Sequence, residues 1–172
     1  MYLTRHRRLQ VLVLAAALLL GAAACSKKDP AMDLNKPIDL NKVNMVFNPI
    51  GGVFEGVKVS PDKVTAYGWA KLGDVSGPVD LVLILNQNNQ LLAQAAPKGA
   101  PADVVKSTLD PALANSGFSI QVGIAELTST ASVTLSAFSF SAKHNRANLL
   151  EKKWNLAFKD GKITGATLAA GK

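Results

Sequence analysis

The chain has 172 residues, 48% of them hydrophobic and only 6% aromatic, with a formal charge of +7. That length holds one ordinary domain with a sizeable core plus an appendage. A single cysteine excludes an internal disulfide and any cysteine-rich metal site. The lysines are scattered and do not form a stripe interleaved with aromatics, so the electrostatic footprint of a nucleic-acid binder is missing.

The chain opens on the basic octet Met1-Tyr2-Leu3-Thr4-Arg5-His6-Arg7-Arg8. Leu9-Gln10 and an unbroken apolar run from Val11 to Leu20 come next, then Gly21-Ala22-Ala23-Ala24 and the lone cysteine, Cys25. A charged end, an apolar centre and small residues at a cut are the three parts of a secretory signal. The apolar run is short of the roughly 20 residues a membrane span requires. Small residues directly followed by a cysteine resemble the lipobox of bacterial lipoproteins, with Ala22 where that family more often has Leu. The resemblance implies cleavage between Ala24 and Cys25, a diacylglyceryl group on the Cys25 sulfur, and acylation of the new amine. Because Ser26 and not Asp follows the cysteine, it also implies an outer-membrane destination in a bacterium with two membranes. An ordinary secretory signal cut after Ala24, with a free Cys25 thiol, fits the same residues.

Removing residues 1–24 leaves 148 residues and takes away Arg5, Arg7 and Arg8, so that 16 basic residues face 12 acidic ones, a charge of +4. Residues 25–48 read as a lipidated N-terminus and flexible tether, rich in Lys, Asp, Asn and Pro and without a sustained apolar period. Lys27-Lys28 lie where they can meet anionic headgroups, at about 1 kcal/mol each. The tether contains a near-repeat, Asp33-Leu34-Asn35-Lys36 and Asp39-Leu40-Asn41-Lys42; two copies are too few for a repeat architecture.

Residues 49–172 read as strands. Val53–Ser60 is followed by a Ser60-Pro61-Asp62-Lys63 turn, and Val64–Leu72 carries Tyr67 and Trp69 on one face at period two. Gly73-Asp74-Val75-Ser76-Gly77-Pro78 is a loop. Val79–Asn86 alternates apolar residues on both parities, the pattern of a strand buried on two faces. Asn88-Asn89 suits a tight turn into Gln90–Ala95. Asp103 and Asp110-Pro111 cap two short helical signals, the second closed by Gly117. Phe118, Ile120 and Val122 then alternate. In Ser132–Ser141 the apolar parity switches between Val133-Leu135-Ala137 and Phe138-Phe140, which suggests a bulge or a change of face. Leu149–Lys153 could form a helical turn. Trp154, Leu156 and Phe158 start a hairpin that turns at Asp160-Gly161 and returns through Lys162–Leu168. Seven or eight strands with one or two short helical turns predict an all-β fold, a single antiparallel β-sandwich.

The ordered set Tyr67-Gly68-Trp69-Ala70, Gly77-Pro78-Val79-Asp80, Asp103-Val104-Val105 and Ala114-Asn115-Ser116-Gly117-Phe118-Ser119 resembles an immunoglobulin-like β-sandwich module of bacterial envelope and surface proteins. The likeness spans about Val64–Phe140. Lys71-Leu72 stands where the module usually has an Asp, and Pro101-Ala102 where it often has Arg-Pro. The resemblance implies an immunoglobulin-like fold and carries no activity with it.

Without its first 24 residues the chain has one histidine, His144, in the polar run Lys143-His144-Asn145-Arg146, and no Gly-x-Ser-x-Gly elbow. A Ser-His-Asp triad would have to use that loop histidine. The acid pairs Asp74/Asp80 and Asp103/Asp110 read as turn and cap residues. No Asp-x-Asp-x-Asp-Gly loop occurs, and Gly51-Gly52 is too short to cradle a phosphate. The chain is therefore expected to be no enzyme, with no catalytic residues, no metal and no cofactor. Trp69 and Tyr67 are stacking surfaces for a sugar if exposed, though Trp69 reads first as a core residue of the sandwich; Trp154 is a further candidate. The Ser/Thr-rich stretch Thr128–Ser141 is a solvated sheet face or a flat polar contact surface. The expectation is a lipid-anchored envelope protein with a structural or interaction role on a larger envelope assembly. The alternative is a small-ligand or glycan-binding lipoprotein using Trp69 or Trp154. Its partners are then the membrane, through the lipid, and an envelope protein or glycan, not nucleic acid.

Overall fold

Period-two alternation builds the smaller of two sheets. The computed structural model describes residues 32–73, 79–99, 113–127 and 131–170. In this sheet β2 (Gly52–Val59) and β6 (Gly117–Gly123) flank β3 (Lys63–Ala70), all antiparallel. Val64, Ala66, Gly68 and Ala70 are buried, while Thr65, Tyr67 and Trp69 alternate with them on the other side. A bulge at Glu55 shifts the β2–β3 register, so that Phe54 faces Gly68 but Gly56 faces Tyr67.

The larger sheet runs in the order β1 (Asn44–Val46), β8 (Arg146–Leu149), β7 (Ser132–Ser141), β4 (Leu81–Leu85), β5 (Leu91–Ala95). β9 (Trp154–Lys159) pairs with Ser132–Leu135 of β7, and β10 (Lys162–Leu168) pairs with β9. β8 pairs with Phe138–Ser141, on the same edge of β7 as β9, so the two lie end to end along it. The β9–β10 turn holds Asp160 and Gly161 at φ 51° and 72°, as expected for a two-residue hairpin loop. At the β4–β5 turn Asn89 adopts φ 58°, and the organising residue is Asn86, whose Oδ1 accepts from the amides of Asn88 and Gln90.

Strands β2 to β8 form a β-sandwich: three strands in one sheet face the order β8-β7-β4-β5 in the other. Both open sides are crossed by the chain. On one side Leu149 and Glu151 leave β8 to bond with Gly51, Gly52 and Phe54, and Glu151 bridges to Val53. On the other, Lys98 and Gly99 bond to Gly117. The helical turn expected at Leu149–Lys153 does not form: the Leu150 and Glu151 amides donate to Ala137 O of β7 and Gly52 O of β2, and Lys152 turns the chain at φ 66°.

Two cores result. The inner one, between the sheets, contains Phe54, Val64, Val82, Ile84, Phe118, Ile120, Val133, Leu135, Leu150 and Leu156. A second cluster, Leu81, Leu83, Leu85, Phe138, Phe140, Ala147 and Leu149, lies on the opposite face of the larger sheet. Ile38 and Val43 are buried against it, with Leu34, Leu40 and Met45 packed alongside. The cover comes from a strap, residues 33–43, within the stretch whose polar composition reads as tether. The compact unit begins at Asp33, not at residue 49.

The near-repeat is one clip used twice. Asp33 and Asp39 each accept the amide two residues on, at 3.1 and 3.2 Å. Each also pairs with the lysine three residues on, at 3.4 and 3.2 Å. Both clips aim a leucine, Leu34 or Leu40, at the second core. The strap is held at its middle by Gln94 on β5, which accepts from Ile38 N at 2.9 Å and donates to Lys36 O at 2.8 Å. Asn145 donates to Lys42 O at 2.6 Å, and β1 then runs parallel to β8.

The strap explains the parity of β7. No bulge interrupts its pairing with β4; Val133, Leu135 and Ala137 fill the inner core while Phe138 and Phe140 fill the second. Ser136, Ser139 and Ser141 are buried, so the Ser/Thr stretch is not a solvated face there.

Candidate functional site

The outer face of the small sheet carries the arrangement most suited to binding. Tyr67 and Trp69 both point outward from β3 and are half-buried. Trp69 was expected in the core; alternation instead gives the inward positions to Gly68 and Ala70. Small cross-strand neighbours leave the rings room: Tyr67 lies between Gly56 and Ser119, Trp69 between Val53 and Gly117. The Tyr67 ring rests across Gly56, where an added Cβ would overlap Oη and lie 2.7 Å from Cζ. The missing side chain leaves room for the outer end of the ring on the sheet.

A lysine stands over each ring. Lys58 Nζ is 5.4 Å from the Tyr67 centroid and Lys71 Nζ is 5.9 Å from that of Trp69, contacts worth about 0.5–1 kcal/mol each at exposed positions. Each ring also lines an open cleft. The one at Tyr67 measures about 480 Å³ and is bordered by Glu55, Lys98, Phe118 and Ser119. That at Trp69 measures about 370 Å³ and is bordered by Pro49, Ile50, Lys71 and Glu151.

The other predicted positions are put to structural use or lie elsewhere. Trp154 donates from Nε1 to Phe54 O at 3.0 Å and packs on the inner core, so its ring ties β9 to β2. Asp80 accepts the Ala142 amide at 2.7 Å, which fixes the turn bearing the exposed His144. Asp80 thus braces the 142–145 turn; the 73–78 turn it was expected to serve lies mostly outside the described residues. Ala24, Cys25, Ser26, Asp74, Asp103 and Asp110 lie outside the described residues, as do the two helical signals up to residue 112. Among the described residues no three His, Cys, Asp or Glu side chains gather as a metal site would require.

Tyr67 was legible as the partner of Trp69 on one face, but its seat was not. The pairing of Tyr67 with Gly56 depends on the bulge at Glu55, which no local pattern announces. Lys58 and Lys71 gave only the signal of ordinary surface charge.

Fold and face together define an all-β sandwich with an outward aromatic–lysine surface. In comparisons with known proteins the chain matched no family, no curated protein and no solved structure.

Proposed function

We propose that this chain is a lipid-anchored protein of a bacterial cell envelope whose sandwich acts as a non-catalytic interaction module on a larger envelope assembly. Cys25 carries the lipid after cleavage behind Ala24, and Ser26 directs the protein to the outer membrane. What supports the anchor is the order of basic octet, apolar run, small residues and lone cysteine. One acyl chain holds only marginally, so the three chains of a mature lipoprotein are what make anchorage lasting. The observation that carries the interaction role is the outward pair Tyr67 and Trp69 with their lysines, two half-buried rings side by side on the outer face of the small sheet.

Cross-linking in intact cells, wild type beside Cys25→Ser, tests this reading. The expected result is one captured partner, linked through Lys58, Lys71 or Lys98 and lost with Cys25. Links spread evenly over all surface lysines, or none, would count against it. The lipid itself is tested by palmitate labelling, expected on the wild type and absent from Cys25→Ser. A second reading, a glycan-binding lipoprotein, is favoured by the clefts beside Tyr67 and Trp69; Trp154 does not contribute to it, because its indole is engaged with Phe54.

A further inference from the structure

We propose that Tyr67 and Trp69 form a two-ring platform for an anionic oligosaccharide, one sugar ring stacking on each aromatic and one acidic group meeting each lysine. The inference rests on reading the outer face of β2-β3-β6 as the contact surface, and names what that surface takes.

Three features select this ligand chemistry. The first is the seat of the Tyr67 ring. Because Gly56 lacks a side chain, the outer end of the Tyr67 ring rests over it on the sheet, with Lys58 above the ring. A pyranose has an apolar C–H face and a polar rim, and suits a flat ring in a shallow, wet cleft better than a wholly apolar ligand would. Second, the pairing is duplicated. Tyr67 and Trp69 are two residues apart on one strand, so their α-carbons are roughly 6.6 Å apart at the usual rise. Each has its own lysine and its own cleft. A doubled aromatic–lysine unit matches a ligand whose own unit repeats. The third is charge. Lys58, Lys71 and Lys98 outnumber Glu55 and Glu151 around the two rings, while Lys63 and Glu126 offset each other at the far end of the face. Lys58 and Lys71 stand over the rings, so a stacking sugar displaces their ammonium groups sideways, toward the rim where a carboxylate would project. The two glutamates border the clefts as acceptors for sugar hydroxyls.

The test uses the full chain in detergent micelles, titrated with a galacturonic acid trisaccharide and with a neutral glucose trisaccharide. Binding is followed by calorimetry and by indole fluorescence, in which the response is expected from Trp69 and not from Trp154, whose Nε1 is bonded to Phe54 O. Tighter binding of the acidic sugar is expected, with the fluorescence change lost in Trp69→Phe. Tyr67→Ala is expected to weaken binding about tenfold, as removal of one aromatic stacking contact should. Tyr67→Phe keeps the ring and stays within about twofold of the wild type, since only a hydroxyl is lost. Lys58→Gln and Lys71→Gln each weaken the acidic sugar, relative to the neutral one, by up to about fivefold, the range of an exposed charge pair. Gly56→Ala, which displaces the ring without removing it, weakens both sugars and covers the case in which Tyr67→Ala fails to fold. The proposal is overturned if neither sugar binds, if Tyr67→Ala and Gly56→Ala bind as the wild type does, or if a single-stranded DNA of equal charge binds equally well. Protein cross-links through Lys58 and Lys71 that persist without any sugar binding would overturn the saccharide and leave the contact-face reading standing. Loss of both would overturn both.

Discussion

Gly68 is the residue on which the small sheet has least latitude. The Glu55 bulge brings the β2 backbone against it, and a Cβ there would overlap Val53 O and sit 3.0 Å from Glu55 N and 3.1 Å from Phe118 Cε1. The first two are backbone atoms and cannot swing aside. Gly68→Ala is therefore expected to cost about 1–3 kcal/mol in a urea melt, the range for overpacking a filled site. At Gly56 the obstructing atoms are the far end of a mobile tyrosine, so Gly56→Ala moves a ring and leaves stability nearly unchanged. Asp39 carries a different signal. The hydrogen bond from Lys42, then that from the Asn41 amide, hold its carboxyl below the ordinary range. A depressed carboxylate contributes stability that is present above its unfolded value of about 3.9 and is lost as pH falls through the lower folded value. A carboxyl titration by NMR should place the Asp39 midpoint below that value, and Lys42→Met should raise it. A midpoint that ignores Lys42→Met would show the clip to be absent in solution.

Elements show what the sequence made legible and what it hid. The β4 pattern, apolar on both parities, declared a strand covered on two sides, and Leu81–Leu85 is buried throughout. What covered the second side was not legible, because the strap is polar. Of each Asp-Leu-Asn-Lys clip only the leucine faces inward, and one apolar residue in four has neither helical nor strand period. The repeat itself was visible, but its meaning depends on Asp-to-amide turns and on Gln94, 56 residues from Ile38 in sequence. Trp69 sits outward for a related reason: period two gives two faces without saying which is inner, and Gly68 and Ala70 hold the inward places where Trp69 was expected. The strap can be tested as an element. Gln94→Ala removes its central hydrogen bonds, and amide exchange at Ile38 should rise by an order of magnitude or more while β4 and β7 stay protected; this is local opening, not global unfolding. Equal acceleration in β4 would mean that the strap and the sandwich open together.

For the whole molecule, the two chain crossings matter as much as the sheets. Leu149–Glu151 on one side and Lys98–Gly99 on the other spend backbone hydrogen bonds to join the sheets at their edges. With the strap over the outer core, the sandwich is covered on its larger face, tied on both sides, and left with its aromatic surface on the small sheet.

The strap has one more consequence, which is mechanical. On the proposed anchorage, a drag on the domain enters the fold at Asp33, and only residues 25–32 separate that point from the lipid, a leash of at most roughly 26–29 Å. The next links in the load path are Gln94's hydrogen bonds to the strap, which precede the β1–β8 pairing along the chain. If they yield first, the eleven residues from Asp33 to Val43 pay out as up to about 36–40 Å of slack while the sandwich between the sheets stays intact. A segment that packs like a cover when relaxed is thus a reserve of reach under tension.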